Sequence, residues 1–130
     1  MAIYPTAEQI QALLTGPDDE PVVMVNLLRF KPRADAPDQG VSGAEAYARY
    51  GSEMRKIVER HGGRIVWSGR VDSMVIADVD PGYHAVALVE YPSRAKFVEI
   101  ARSAEVAAIG VHRAAGLESQ WLIATTPGEL

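Results

Sequence analysis

The sequence predicts an α+β fold, a ferredoxin-like antiparallel sheet in the order β-α-β-β-α-β with one extra helix at the N-terminus. Two observations predict it. Hydrophobic periods of two and of 3.6 residues follow one another in that order. The two central strands are also apolar on both of their faces, which the helices of one chain cannot cover.

The elements can be justified in turn. Thr6-Ala7-Glu8-Gln9 is a capping box, in which a hydroxyl and an amide satisfy each other's orphan N–H groups. It opens a short helix to about Leu14, stopped by Gly16-Pro17. Pro21 to Phe30 is β-rich, and 31–41 is a polar loop of Pro, Gly and Asp. A second capping box, Ser42 to Glu45, opens the longest helix. Its Tyr47, Tyr50, Met54, Ile57 and Val58 form one apolar stripe. His61-Gly62-Gly63 ends it, a glycine serving the left-handed position. Arg64 to Asp78 reads as one strand, bent by a bulge near Gly69. Asp80-Pro81-Gly82 is a turn, and His84 to Tyr91 is the third strand. Ser93 caps a helix through Ile100, and a second piece runs from Ala104 to Ala115. Gly116-Leu117 reads as a Schellman ending, and Ser119 to Thr125 is the last strand.

At 130 residues the chain suits one domain over 1–130, with 1–20 as a helical extension. A net charge of -4 gives no basic footprint for nucleic acid or anionic lipid. Without cysteine there is no disulfide, thiolate zinc site or cysteine nucleophile. MAIYPTAEQI lacks the features of a secretion signal, and no apolar run is long enough for a membrane span, so a cytoplasmic protein is expected.

The two-faced strands bear on assembly. Val22, Met24, Leu28 and Phe30 share one face of the first strand; Val23, Val25 and Leu27 share the other. Each apolar side chain buried is worth roughly 1.5–3 kcal/mol, so a bare second face forgoes stability on the order of a whole domain's. A second subunit laid sheet on sheet is the expected cover, making the protein a homodimer.

The run HGGRIVWSGR, the later VALVEYPS and Arg113 after a broken helix resemble a bacterial family called domain of unknown function thirteen-thirty. The resemblance covers about Val22 to Ile123. Gly62, Gly63, Glu90, Pro92, Ser93 and Arg113 match it, and Tyr91 stands where a phenylalanine is common. The leading helix and the long Lys31–Gly40 loop are departures. The resemblance implies a dimeric α+β barrel and assigns no reaction. Its superfamily includes cofactor-independent monooxygenases, lactone isomerases and haem-handling enzymes, so the fold alone decides nothing.

In the sheet order 4-1-3-2, strand one ends where strand three begins. Asn26, Arg29, Tyr47, His84 and Arg113 are therefore expected to converge there, with Trp121 on the incoming last strand. Arg113 falls on the inward stripe of its helix and needs a partner, a protein carboxylate, a ligand's carboxylate or the helix-end carbonyls. Asn26 interrupts an apolar strand and must be hydrogen-bonded if buried. His84 is the candidate general base. Tyr47, Tyr50, Trp67 and Trp121 are core residues or a cavity wall. Glu90 lies six residues from His84, about 20 Å along the strand, so the two cannot serve one atom within a subunit. It reads first as a structural tie to Arg64 or Arg70, and as a base only if left without its arginine. His61, His84 and His112 have no metal-ligand spacing, and His112 lies off the inward stripe that a haem ligand needs.

Three readings follow. One is a cofactor-independent enzyme, monooxygenase- or isomerase-like, acting on a small anionic or aromatic compound. There His84 or Glu90 moves a proton, while Asn26, Arg29, Tyr47, Tyr50, Trp67, Arg113 and Trp121 bind substrate. The others are a non-catalytic ligand-binding dimer and a purely structural one.

Overall fold

The computed structural model describes residues 2–130. Its elements are α1 (Ala7–Leu14), β1 (Val22–Phe30), α2 (Gly43–Arg60), β2 (Arg64–Arg70), β3 (Ala85–Tyr91), α3 (Arg94–Ala101), α4 (Ala104–Gly116) and β4 (Leu117–Thr125). The four strands form one antiparallel sheet in the order β2-β3-β1-β4. This is the expected α+β, ferredoxin-like arrangement.

Local chemistry starts the helices as read. Thr6 and Gln9 exchange both bonds of a capping box. Ser42, Ser93 and Ser103 each accept an N–H of the first turn, so the expected box at Ser42 to Glu45 is realised only in its serine half. Gly62 has φ 87, the left-handed value a residue with a Cβ resists, and so ends α2. The ending of α4 differs from expectation. Gly116 lies inside the helix and Leu117 is extended at φ -86, so no left-handed cap exists there. Gly116 is needed for closeness instead: a Cβ on it would strike the Gly43 carbonyl, and a Cβ on Gly43 would strike the Lys31 carbonyl. At this crossing α2 and α4 meet backbone to backbone over Ala46 and Ala115.

The second correction concerns β2. The strand stops at Arg70, and Met74 to Asp78 lie in the connection to β3. Val75 and Ile76 are almost wholly exposed there. Strand propensity is realised only against a partner, and β3 does not begin until Ala85. The bulge also moves, to between Ile65 and Trp67. Gly69 pairs regularly with Val86, and its missing Cβ leaves the room that the Trp67 indole takes.

The sheet's two faces differ as the alternation demands. Val22, Met24 and Leu28 are 1–3% exposed beneath α2, α3 and α4, joining Ile57, Val58, Tyr91 and Ile100 in the core. The other face carries Val23, Val25 and Leu27 of β1, Val86 and Leu88 of β3, and Ile123 of β4. Trp67 and Trp121 share it at 55% and 58% exposure. Among the described residues no helix lies over it. Helix α1 packs against α3 instead, its end tied by Arg94, which donates to the Pro17 carbonyl at 3.1 Å and to Thr126 Oγ1 at 3.1 Å.

The glycine contact can be tested. Gly116→Ala improves helix propensity, yet it should lower stability by about 1–3 kcal/mol, because the clash is with backbone that cannot rotate away. Chemical denaturation of the two proteins measures the difference. A stabilised variant would show that the helices can part without cost.

Candidate functional site

The end where β1 finishes and β3 begins is built from backbone bonds first. His84 precedes β3 and is held on both sides: its N–H donates to the Leu28 carbonyl at 2.7 Å, and its carbonyl accepts from Val71 at 2.9 Å. The Phe30 N–H donates to His84 Nδ1 at 3.0 Å. A backbone N–H can only donate, so Nδ1 is bare and the neutral ring carries its proton on Nε2. The exposed nitrogen of His84 is thus a donor. The expected general base has its only basic nitrogen occupied.

Around it lies a cleft of about 560 Å³, lined by Phe30, Lys31, Pro32, Ser42, Ala44, Arg70, His84 and Ala85. The lining holds two cations and no carboxylate. Lys31 is paired with Asp35 just outside it. Phe30 stacks on His84 with centroids 5.9 Å apart and leans on Tyr47 at 5.4 Å, which in turn touches Tyr50 at 5.3 Å. Burial pushes both tyrosine hydroxyls above their usual range, while the Arg113 charge pulls the other way. They stay protonated. A second cleft of about 550 Å³ follows α1, with Arg102 its one ionisable group.

Behind the cleft a polar chain crosses the sheet. Asn26 is buried, and its Nδ2 donates to the Ala87 carbonyl at 3.2 Å and the Met24 carbonyl at 3.3 Å. Its Oδ1 accepts from Gln120 Nε2 at 2.7 Å, and Gln120 Oε1 accepts from Arg113 Nη2 at 2.6 Å. Arg113 Nη2 donates to the Ile3 carbonyl as well, and the guanidinium lies 5.3 Å from the centre of the Tyr4 ring. Asn26 therefore has no donor left to polarise a substrate. Arg113 is held by neutral oxygens rather than by a carboxylate or the ends of its own helix.

The remaining expected residues lie elsewhere. Arg29, Trp67 and Trp121 belong to the uncovered sheet face, with Arg29 3.9 Å from Glu118 and Trp121 packed on Tyr83. Glu90 is at the far end of β3, opposite Arg64, whose Nε donates to Oε2 at 3.1 Å. The Arg64 register holds, and Arg70 sits opposite Ala85. Glu90 is a tie in this fold.

One buried ionic group escaped the sequence reading. Asp38, in the polar loop, is 2% exposed and accepts from His112 Nδ1 at 2.7 Å and from Arg49. It pins the loop to α2 and α4 at once. Its carboxyl is held below the ordinary value of 3.8, chiefly by the His112 hydrogen bond and then by Arg49 against the cost of burial. Among the described residues no cluster of three His, Cys, Asp or Glu could hold a metal, and no helix is long and apolar enough to cross a membrane.

An antiparallel four-stranded sheet with helices on one face defines the ferredoxin-like α+β class, a fold that by itself assigns no reaction. The chain belongs to the family described as domain of unknown function (DUF1330), whose model matches residues 39–126. It is 38% identical to a protein of unknown function from Rhodopseudomonas palustris, over 98% of each chain with a TM-score of 0.88. A hydroxynitrile lyase from Passiflora edulis aligns at 15% identity and TM-score 0.61 over 86% of this chain and 97% of its own. A dabb family protein with a ferredoxin-like fold from Mesorhizobium loti aligns at 14% and 0.51 over 84% of this chain and 98% of its own. These two share the fold alone. No protein of curated function matches the chain.

The Asp38 clamp sets an acid response. A depressed folded value means its stabilisation is complete above 3.8 and is lost as the pH falls through the folded value. Melting temperature followed from neutral pH downward should fall more steeply below 3.8 for the wild type than for Asp38→Asn. Equal slopes would remove the clamp from the acid response.

Proposed function

We propose that the protein is a cytoplasmic homodimer that binds a small anionic, partly aromatic molecule in the Phe30–His84 cleft, with no resident cofactor. The observation that carries this is the cleft itself. Its volume lies within the ~300–1,000 Å³ of small-molecule sites. Lys31, Arg70 and the His84 Nε2–H offer donors and positive charge, and Phe30 offers a ring face. Among the described residues lining it, no acidic group opposes an anion.

The catalytic form of this reading is a cofactor-independent enzyme, monooxygenase- or isomerase-like, in which His84 acts as a hydrogen-bonding acid toward a carbonyl or hydroxyl. The non-catalytic form is favoured by a specific observation. His84 is committed as a donor and Glu90 is paired at the other end of β3, so neither candidate stands ready as a base. Ligand binding is the function supported best.

The dimer rests on the uncovered sheet face, whose half-exposed aliphatics and two indoles form one apolar surface. A second copy meeting it sheet to sheet removes that surface from water at roughly 25 cal/mol per Å².

Two measurements test these proposals. Thermal-shift screening of small carboxylates and phenols should find ligands that raise the melting temperature of the wild type and leave Arg70→Ala and His84→Ala unmoved. Uniform failure with the wild type, or shifts of equal size in all three, would count against the cleft. Light scattering should report a dimer for the wild type and a folded monomer for Leu27→Asp, which places a charge among the apolar residues of β1. A monomeric wild type would refute the dimer.

A further inference from the structure

Arg113 is half-buried, yet the oxygens it meets are all neutral, the Ile3 carbonyl and Gln120 Oε1. Both bonds leave from Nη2, so among the described residues Nε and Nη1 have no protein acceptor. A partly desolvated charge without a counter-charge is costly, and a guanidinium fork matches a carboxylate better than any other partner.

The position facing this fork is filled by the chain's own beginning. The Ala2 carbonyl accepts from the Gln120 N–H at 3.0 Å, the Ile3 carbonyl accepts from Arg113, and the Tyr4 ring lies over the guanidinium. Every one of these contacts is made to Arg113 or to Gln120 beside it. Tyr4 remains 65% exposed, so the segment is attached lightly. A backbone carbonyl offers one neutral acceptor where a carboxylate offers two and the missing charge.

We infer that Arg113 is the anchor of a second site, for a small monocarboxylate, and that residues Ala2 to Tyr4 form a strap occupying the carboxylate's place until a ligand displaces it. The site lies on the β4 side of the sheet and is separate from the Phe30–His84 cleft. Strap and ligand compete for the same donors, so each weakens the other by an equal factor. Affinity measured on the intact chain is therefore reduced by the fraction of molecules with the strap in place.

The test titrates sodium benzoate into the full chain and into a chain lacking residues 2–5, with affinity read by calorimetry. Removing the strap should tighten binding at least about tenfold, the worth of one hydrogen bond to a charged group. Tyr4→Ala, which removes only the ring over the guanidinium and leaves the strap's backbone bonds, should tighten it by a smaller factor. Arg113→Gln in the strap-less chain should abolish the gain, and Arg113→Lys should restore part of it. Equal affinity with and without the strap overturns the inference, as does a folded strap-less chain that takes no benzoate. Binding that survives Arg113→Gln and vanishes with His84→Ala overturns it too, while leaving the cleft proposal standing.

Discussion

A four-stranded sheet has two faces, and this chain carries helices for one. That constraint orders most of what is observed. Along β1, residues at 1–9% exposure alternate with half-exposed ones, so a central strand is buried on the helix side and apolar on both. On the helix side the first half of β1 enters a dry core, with Val22 and Met24 among Ile57, Val58 and Tyr91, and Asn26 at the strand's centre begins the hydrogen-bonded path to Gln120 and Arg113. A buried amide survives there because each of its polar atoms has a partner.

The helices reach this end through a close crossing. Gly43 and Gly116 let two backbones touch, which brings the first turn of α2 and the last turn of α4 over the exit of β1. Lys31 is held within the same contact, its N–H donating to the Gly116 carbonyl and its carbonyl accepting from Gly43. The loop beyond it is then fastened by Asp38. Cleft, loop and polar path thus share one support.

The fold was largely legible because its signals are local. Hydroxyl caps at Thr6, Ser42 and Ser93, the glycine at Gly62 and the two-residue period of β1 each act within a few residues. That Glu90 would meet an arginine was readable from the strand face, whereas the choice of Arg64 over Arg70 waited on the position of the bulge. Misreadings arose where a distant partner decides. Met74 to Asp78 have the composition of a strand and no neighbouring strand to pair with. Gly116 looked like a helix stop because its real reason, the Gly43 carbonyl, lies far away in sequence. The site was less legible for the same cause. Sequence expected His84, Asn26 and Arg113 to converge, but nothing in it said that Phe30 would take His84 Nδ1 or that Gln120 would take both Asn26 and Arg113. Asp38 stood in a loop rich in polar residues, and its partners are 11 and 74 positions away.

The bond between Ala2 and Gln120 reaches beyond Arg113. β4 is an outer strand of the sheet, and unpaired rungs on such a margin invite strands from neighbouring molecules. The first residues of the chain therefore act as selvedge on woven cloth, closing a rung that would otherwise fray into self-association. Pulling that segment away would bare the rung and leave the molecule more prone to clump.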